Sequence, residues 1–217
     1  MPDPLGDFSY TWPFLAAAVI GYFVGSIPFG LVLTKLAGFG DVRKIGSGNI
    51  GATNVLRTGN KGLALATLLL DGGKGALVVI LCYTYLTQDY AVLAGGAAFL
   101  GHLFPIWLKF KGGKGVATFI GIMLAISWPA GLAVGVTWLL VAFILRYSSL
   151  SALISAALAP AYLYILMEMS PIGTSYFGDL QRIEFAGFMA ILIFIRHHQN
   201  IGRLLKGTEP RIGKNKN

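Results

Sequence analysis

Charged residues are scarce in this sequence of 217 residues: Asp, Glu, Lys and Arg together make up 12%, while 55% of the chain is hydrophobic. The mean hydropathy is +0.70. A single soluble core of this size cannot bury so much apolar surface. The composition therefore excludes an ordinary soluble protein and predicts an integral membrane protein.

Metal, disulfide and nucleotide motifs are absent as well. Cys82 is the single cysteine, and the three histidines have no recognisable metal-ligand spacing, so no metal ion or other cofactor is expected. The stretch K-G-G-K-G that ends at Gly115 is not a Walker A loop, because glycine stands where Ser or Thr is required. No paired carboxylates occur in the predicted cytosolic loops. An enzyme with this sequence would need an already activated substrate.

Long apolar runs dominate what is present. They cover residues 14–36, 62–86, 91–108, 116–145, 150–167 and 180–195. A helix of about 20 residues crosses the hydrocarbon core, so most runs predict one transmembrane helix each. The run 116–145 is too long for one helix, since its 30 residues would reach about 45 Å. Trp128 and Pro129, near its middle, predict a tight turn there.

The distribution of charge predicts the topology. If the N-terminus is outside and 116–145 crosses twice, Asp3 lies outside and the basic loops and tail, with Lys214 and Lys216, lie in the cytosol. Arg182 is then the single exception, and one crossing instead of two would export the basic tail. We therefore expect an all-α membrane protein of about seven transmembrane helices, with an extracytoplasmic N-terminus and a cytoplasmic C-terminus.

Some of these helices are expected to be short, namely the two halves of 116–145 and the last run. A re-entrant hairpin at 116–145, which leaves five full spans and the same parity, stays open. We expect one membrane-embedded domain, 1–217, with an external segment 1–12 and a cytoplasmic basic tail 204–217.

Three cytosolic stretches combine basic residues with glycines or amides. The first, 43–61, contains Gly46, Gly48 and Gly51, whose backbone freedom lets successive N–H groups turn toward one anion. Four side chains in the same loop add hydrogen-bonding groups: Ser47, Asn49, Thr53 and Asn54. Arg57 follows and offers a bidentate fork. A flexible linker is the alternative, but linkers favour repeated Gly and Ser over Asn and Thr at fixed places.

The second and third stretches lie at helix ends. Gly112, Gly113 and Lys114 precede the helix expected from residue 116, whose N-terminus carries partial positive charge. In the third stretch, 196–211, His197 and Asn200 share one helical face, with Arg203 close by, and suit a polar substrate. Anchoring at the membrane interface is the alternative for this stretch.

Two further features have competing explanations. Asp71 and Lys74 lie three residues apart inside the second apolar run, which fits a structural ion pair or a functional site at membrane depth. The glycines around them also fit close helix packing. His102, near the inner end of the third run, fits a hydrogen-bonded structural histidine or a functional one. Ser149 fits an ordinary helix cap when it is taken alone.

Several motifs together resemble one known family. They are 25–30 (G-S-I-P-F-G), 46–54 (G-S-G-N-I-G-A-T-N) with Arg57, 101–105 (G-H-L-F-P), 110–115 (F-K-G-G-K-G), 147–150 (Y-S-S-L) and 196–201 (R-H-H-Q-N-I). In this order, from about Val24 to Arg211, they resemble the bacterial membrane acyl-phosphate:glycerol-3-phosphate acyltransferases. The chain lacks the His-x4-Asp signature of the soluble glycerolipid acyltransferases.

The resemblance implies the reaction and the location. Members transfer a fatty acyl group from acyl phosphate to the 1-hydroxyl of glycerol 3-phosphate, which gives lysophosphatidic acid and phosphate, the first step of phospholipid biosynthesis. It implies a multi-pass protein of the bacterial inner membrane with its active site facing the cytoplasm. The expected partners are these two substrates and membrane lipids, with no nucleic acid. The sequence carries no mark of oligomeric state, and a monomer is the default expectation.

The resemblance also implies the site. The loop 47–54 would hold the acyl-phosphate headgroup, with Gly46 beside it. The pocket for glycerol 3-phosphate would be lined by the catalytic candidates Arg57, Lys114, Ser149, His197 and Asn200, with Ser47 as the catalytic candidate of the donor loop. The remaining substrate-binding candidates are Gly46, Gly48, Asn49, Gly51, Thr53, Asn54, His102, Gly112, Gly113 and Arg203.

Three questions stay open at this point. The proton of the attacking hydroxyl goes either to a substrate phosphate oxygen or to His197. Ser149 is preferred over Ser151 as the family serine. The rival functions are a membrane transporter of organic anions or phosphate esters, which usually shows repeated halves with a midplane site, and a noncatalytic scaffold for anionic lipid.

Overall fold

Apolar stretches fold as helices because, without water, each backbone N–H and C=O must find its partner within its own segment. The structure is a computed structural model that describes residues 7–170 and 177–213, and every regular element in these ranges is a helix. The α-helices are α1 (Phe8–Gly25), α2 (Phe29–Leu36), α3 (Ala52–Val55), α4 (Lys61–Tyr85), α5 (Gln88–Leu103), α6 (Val116–Ile126), α7 (Trp128–Leu145), α8 (Ser148–Glu168), α9 (Leu180–Arg196) and α10 (His198–Leu205). Short 3-10 turns cover Val42–Lys44, Leu56–Thr58 and Ile106–Leu108.

Within the described residues, five stretches are long and apolar enough to cross a membrane. They are Phe8–Leu36, Lys61–Tyr85, Gln88–Leu108, Trp128–Leu145 and Ser148–Glu168. The all-α membrane protein expected from the sequence is thereby confirmed. Among the remaining apolar helices, α6 has 11 residues and α9 has 17, which correspond to about 16 Å and 26 Å.

The run 116–145 is divided as predicted. α6 ends at Ile126 and α7 begins at Trp128, with Ser127 between them. Pro129 lies in the first turn of α7, where its missing N–H has no intrahelical partner to lose. The expectation that both halves are short was wrong for the second, since α7 has 18 residues and is long enough to span.

The first apolar run differs from the expected single helix. It is broken between Gly25 and Phe29, so that α1 and α2 are separate helices. Pro28 accounts for the break, because proline donates no backbone hydrogen bond and its ring clashes with the carbonyl four residues earlier. The carbonyl of Ile27 thereby leaves the regular helical ladder, and it accepts a hydrogen bond of 2.7 Å from Lys74 Nζ.

The chain forms two compact units, 1–125 and 126–217. In unit 1, α1 lies close to α5, since Gly25 contacts the backbone of Ala98 and Gly101 contacts that of Tyr22. Small residues permit such close contact between membrane helices. An apolar cluster of Leu31, Val42, Ile50, Val55 and Ala64 joins α2, α3 and α4.

In unit 2, α8 packs against both α7 and α9. The hydroxyls of Thr137 and Tyr162 are hydrogen-bonded at 2.7 Å. Arg182, the exception to the charge rule, is buried, and its Nε lies 3.6 Å from a carboxylate oxygen of Asp179, the N-cap residue of α9. This pairing gives Arg182 a structural reason for its position. Asp3, Lys214 and Lys216, with parts of the predicted segments 1–12 and 204–217, lie outside the described residues, and the single-domain organisation stays a prediction.

Candidate functional site

One buried side chain, Asn54, organises the glycine-rich loop of unit 1. Its Oδ1 accepts hydrogen bonds from the N–H of Ser47 at 3.0 Å and from the Ser47 hydroxyl at 3.2 Å. Its Nδ2 lies 2.8–3.0 Å from three backbone carbonyl oxygens, those of Val42, Ile45 and Asn49. Asn54 is 2% exposed. Asn54 therefore shapes the loop from inside, whereas the sequence had placed it among the substrate-binding residues.

Several backbone N–H groups of the loop donate within the loop itself and do not point outward toward an anion. The N–H of Gly48 donates to Ile45 O, and that of Ile50 to the side chain of Asn49. Together with Ser47, three of the amides expected to face an anion are therefore used inside the loop. The side chains of Ser47, Thr53 and Arg57 lie at its exposed edge.

Gly46 lets Arg57 lie against this loop. Gly46 has φ +56°, and a Cβ there would overlap the guanidinium and Cδ of Arg57 and approach Asn54 Oδ1 at 2.7 Å. Arg57 belongs to the 3-10 turn Leu56–Thr58 that follows α3. The structure thus brings together Ser47, Asn54 and Arg57, which the sequence had grouped. Gly51 precedes α3 as its N-cap residue, and Asn49 is half-buried.

The second basic stretch wraps the C-terminal end of α5. The N–H of Gly112 donates to Leu103 O and that of Gly113 to His102 O, each at 3.1 Å. These bonds satisfy carbonyls that the end of a helix leaves without partners. Gly115 has φ +83°, and a Cβ there would lie 2.5 Å from the Phe99 ring, so the missing Walker serine has a steric reason.

Lys114 stands between this loop and the first residue of α6, as predicted, and is half-buried. His102 is 4% exposed, and a Cβ on Gly113 would overlap its ring. His102 therefore supports the loop from beneath, which agrees with the structural explanation of this histidine. Asp71 and Lys74 form the predicted ion pair, with Oδ1 and Nζ 3.0 Å apart.

Unit 2 gathers three predicted residues on one carboxylate that the sequence did not reveal. Oε1 of Glu209 accepts hydrogen bonds of 2.6 Å from the Ser149 hydroxyl and from Asn200 Nδ2. Oε2 accepts one of 2.7 Å from Arg203 Nε. The Glu209 side chain is only 6% exposed. The only indication of this role in the sequence was the position of Glu209 in a basic tail, where it is the single acidic residue after Glu184.

The pKa of the Glu209 carboxyl is lowered. Burial opposes its charge, but the hydrogen bonds from Ser149, Asn200 and Arg203 and the nearby positive charge of Arg203 outweigh that effect. Glu209 is therefore ionised at neutral pH, and it neutralises part of the positive charge that the sequence had predicted for this stretch.

The tail that carries Glu209 is hydrogen-bonded to residues 146–147, just before α8. The N–H of Ile212 donates to Arg146 O at 2.7 Å, and Arg146 Nη2 donates to Ile212 O at 2.9 Å. Nε of Arg211 lies 3.1 Å from the Tyr147 hydroxyl, and its guanidinium lies 5.3 Å from the centre of the ring. The segment 206–213 is thus held at both of its ends, by α10 and by residues 146–147.

Ser149 and Ser151 have different roles. Ser149 is not the helix cap considered from sequence, because Tyr147 is the N-cap residue of α8, and its hydroxyl binds Glu209. The hydroxyl of Ser151 donates to Tyr147 O within the same helix at 2.7 Å. Only Ser149 therefore joins the cluster of predicted residues.

His197 lies at the junction of α9 and α10 and is 2% exposed. Its Nδ1 is 2.8 Å from Ile193 O. Because a carbonyl oxygen only accepts, Nδ1 carries the hydrogen in this arrangement, and in the neutral ring Nε2 then has the lone pair. The helix is interrupted here, but Ile201 N–H still donates to His197 O, so the predicted shared face of His197, Asn200 and Ile201 is retained.

Comparisons with known proteins agree on one family. A family model described as glycerol-3-phosphate acyltransferase matches residues 15–207. A protein of Caulobacter vibrioides named glycerol-3-phosphate acyltransferase is 57% identical over 203 residues, covering 92% of this chain and 88% of its own length. One of the same name from Paramagnetospirillum magneticum is 57% identical over 202 residues, covering 93% and 95%.

Solved structures agree as well. The crystal structure of PlsY (YgiH), described as an integral membrane glycerol 3-phosphate acyltransferase in its glycerol 3-phosphate form, superposes with a TM-score of 0.83 at 34% identity, covering 93% of this chain and 96% of that one. Its lysophosphatidic acid form gives a TM-score of 0.81 at 33% identity, with the same coverage.

Proposed function

Because the chain belongs to the glycerol-3-phosphate acyltransferase family, we propose that it transfers a fatty acyl group from acyl phosphate to the 1-hydroxyl of glycerol 3-phosphate. The products are lysophosphatidic acid and phosphate. As an acyltransferase of glycerol 3-phosphate, the protein is an enzyme of phospholipid biosynthesis. The relatives and solved structures above bear acyltransferase names, so the transporter alternative is not favoured.

One structural observation carries the proposal. In unit 1, Asn54 fixes a loop at whose exposed edge a hydroxyl (Ser47) and a guanidinium (Arg57) lie together. A guanidinium matches phosphate geometry with two parallel hydrogen bonds. A rigid site of this kind suits two phosphorylated substrates, with the loop at the phosphate of the acyl donor and Arg57 at the phosphate of glycerol 3-phosphate.

The roles of individual residues follow from this scheme. The loop 46–54 binds the phosphate of the donor, through Ser47 and Thr53. The residues that the family resemblance implies for glycerol 3-phosphate are Arg57 and Lys114 in unit 1 and Ser149, His197 and Asn200 in unit 2. Arg203 supports Asn200 through their shared carboxylate. His102 and the glycines 112 and 113 hold Lys114 in place.

The chemistry requires little beyond the positioning of two anions. The 1-hydroxyl oxygen attacks the acyl carbon, the bond from that carbon to the phosphate oxygen breaks, and phosphate leaves. Arg57 and Lys114 offset the repulsion between the two phosphates and the negative charge that develops on the acyl oxygen. The hydroxyl proton passes to a phosphate oxygen of a substrate, so no acyl-enzyme forms.

His197 is the competing proton acceptor, through Nε2. If it acts as a base, His197→Gln removes the limb of the pH–rate profile near the ordinary histidine range. Under our scheme that limb stays in place. A covalent acyl group trapped on Ser47 or Ser149 would contradict direct attack.

We also propose the orientation. The short helices α6 and α9 complete seven crossings, or α6 and α7 together form a re-entrant hairpin that leaves five crossings and the same parity. Both arrangements put the basic stretches in the cytoplasm of a bacterial cell, with the protein in its inner membrane. The excess of Lys and Arg in the connecting loops supports this orientation. Proteolysis of sealed inverted vesicles would cut the tail near Arg211 only if this orientation is correct.

The decisive experiment uses purified protein with palmitoyl phosphate and glycerol 3-phosphate, without coenzyme A or metal. We expect wild type to release phosphate only when both substrates are present, and Lys114→Ala to lower kcat/KM by about a hundredfold. Lys109→Ala is the matched control, because Lys109 lies in the same loop but is exposed, and it should retain activity. No release by wild type, or full release by Lys114→Ala, would refute the proposal.

A further inference from the structure

The buried ion pair of Asp71 and Lys74 in α4 has no part in the proposed reaction. Asp71 Oδ1 and Lys74 Nζ are 3.0 Å apart, and both side chains are at most 3% exposed. A buried ion pair is weak evidence for stability, because removing two charges from water costs about as much as their attraction returns. Charges inside a membrane-spanning helix are instead functional candidates by default.

Lys74 connects α4 to the loop 46–54. Its Nζ donates to Ile27 O at 2.7 Å, the carbonyl released by the break between α1 and α2, and lies 5.7 Å from the centre of the Phe29 ring. Gly30, in the first turn of α2, contacts the carbonyl of Ile50, and a Cβ at Gly30 would overlap it. Lys74 thus fixes the start of the helix on which this loop rests.

Asp71 connects α4 to both sides of the loop 112–115. Its Oδ1 lies 3.8 Å from Nδ1 of His102, whose ring and carbonyl contact Gly113. Its backbone carbonyl accepts a hydrogen bond of 2.8 Å from the Thr118 hydroxyl, in the first turn of α6. Asp71 is therefore linked to the residue before Lys114, through His102 and Gly113, and to Thr118, which follows Lys114.

We propose that Asp71 and Lys74 are positioning residues that fix the loops 46–54 and 112–115 on one rigid helix for the binding of two phosphates. The proposal rests on the proposed function, in which each loop binds one phosphorylated substrate. Two phosphates repel each other, so their binding groups need a fixed separation. The pair provides it through the bond from Lys74 Nζ to Ile27 O and through Asp71 Oδ1, which lies 3.8 Å from Nδ1 of His102 next to the loop 112–115.

The double variant Asp71→Asn/Lys74→Met tests this role, because removing both charges leaves no uncompensated buried ion. We expect it to fold, with a melting temperature near that of wild type. KM should rise about tenfold or more for both palmitoyl phosphate and glycerol 3-phosphate, with kcat changed far less, since misplaced binding loops weaken the hold on both substrates. Unchanged KM values for both substrates would overturn the proposal.

Two further variants keep the test decisive. Asp179→Asn/Arg182→Met removes a pair of the same spacing at the start of α9, in which Arg182 is buried and Asp179 half-buried, and should leave both KM values unchanged. An equal rise in this control would overturn the positioning role. Thr118→Val removes the bond to the backbone carbonyl of Asp71 but keeps the charged pair, so it tests the link from α4 to the start of α6 even if the double variant does not fold. It should raise KM for glycerol 3-phosphate several-fold and leave KM for palmitoyl phosphate unchanged.

The failure of the proposed function is a separate outcome. If wild type releases no phosphate from the two substrates, the reaction assigned to the protein is wrong. If wild type is active and both the double variant and Thr118→Val match it, the reaction stands and only the positioning role of Asp71 and Lys74 is wrong.

Discussion

The loop 46–54 and the tail 206–213 are each organised by one buried side chain, but the two side chains differ in chemistry. Asn54 is neutral, both donates and accepts, and bonds mainly to the backbone around it. Glu209 is negative, only accepts, and bonds to three side chains from other segments. The loop therefore leaves the positive charge of Arg57 exposed at its edge, whereas the polar groups of Ser149 and Asn200 are hydrogen-bonded to the tail.

Among the variants that test this comparison, Asn54→Asp should have the largest effect on activity and stability. Aspartate has the same shape, but its oxygen would face the three carbonyls that Asn54 Nδ2 now binds, and buried carbonyls without donors are costly. We expect kcat/KM to fall by about a hundredfold and the melting temperature to drop.

Phosphate release and thermal unfolding of the Asn54→Asp variant give the measurement. Asn60→Asp is the matched control, because Asn60 only caps α4 through an oxygen, which aspartate supplies equally well. If the two variants behaved alike, Asn54 would not organise the loop.

Glu209→Gln should have the next largest effect. Glutamine keeps the shape but loses the charge that Arg203 binds, and its NH2 group faces a donor. We expect KM for glycerol 3-phosphate to rise about tenfold and the melting temperature to fall by a few degrees. Glu168→Gln, at an exposed helix end, is the control. A lower KM in Glu209→Gln would mean that the carboxylate opposes the substrate and does not organise the site.

The stability contributed by Glu209 should depend on pH in one direction. Burial opposes the charge of Glu209, but its hydrogen bonds prevail and lower its pKa from the ordinary value of 4.5. The ionised group therefore stabilises the fold fully above its unfolded pKa, and this contribution is lost as pH falls through the folded pKa. The difference in melting temperature between wild type and Glu209→Gln should stay constant from pH 7 to about 5.5 and shrink below about 4.5. A difference that grew on acidification would contradict this pairing.

Ser149→Ala and Ser151→Ala should show the smallest effects, and they should differ. Ser149→Ala removes a hydrogen bond to a carboxylate, which contributes about 1.5–3 kcal/mol. Ser151→Ala removes a bond within one helix and should cost about 1 kcal/mol or less. Thermal unfolding checks the order, and only Ser149→Ala should also raise KM for glycerol 3-phosphate. Equal effects would remove the distinction between the two serines.

Local patterns in the sequence predicted the parts of the fold that depend on neighbouring residues. The division of 116–145 followed from its length and from Pro129, and the start of α6 followed from the glycines before it. The Asp71–Lys74 pair followed from helical spacing. The break before Phe29 was missed although Pro28 caused it, because the apolar run around it is long enough to read as one helix.

The role of Glu209 could not be predicted in the same way. Ser149 and Glu209 are 60 positions apart, so no spacing rule brings them together. The sequence also suggested that Asn54 faces the substrate, because an amide in a glycine-rich loop has the same appearance whether it points inward or outward. Only the coordinates distinguish an amide that binds the loop from one that binds a ligand.

The hydrogen bonds between Arg146 and Ile212 affect the order in which the chain folds during synthesis. A ribosome makes the chain from its N-terminus, and units that are complete can fold while the rest is still being made. All residues that fix the loop 46–54 are synthesised early. Ser149 and Asn200 can bond to Glu209 only after Glu209 has been synthesised, and Ile212 must follow before its backbone bonds can form. A nascent chain therefore completes the loop 46–54 long before the cluster around Glu209 is ordered, and translation that stops before residue 209 leaves a membrane-inserted protein without that cluster.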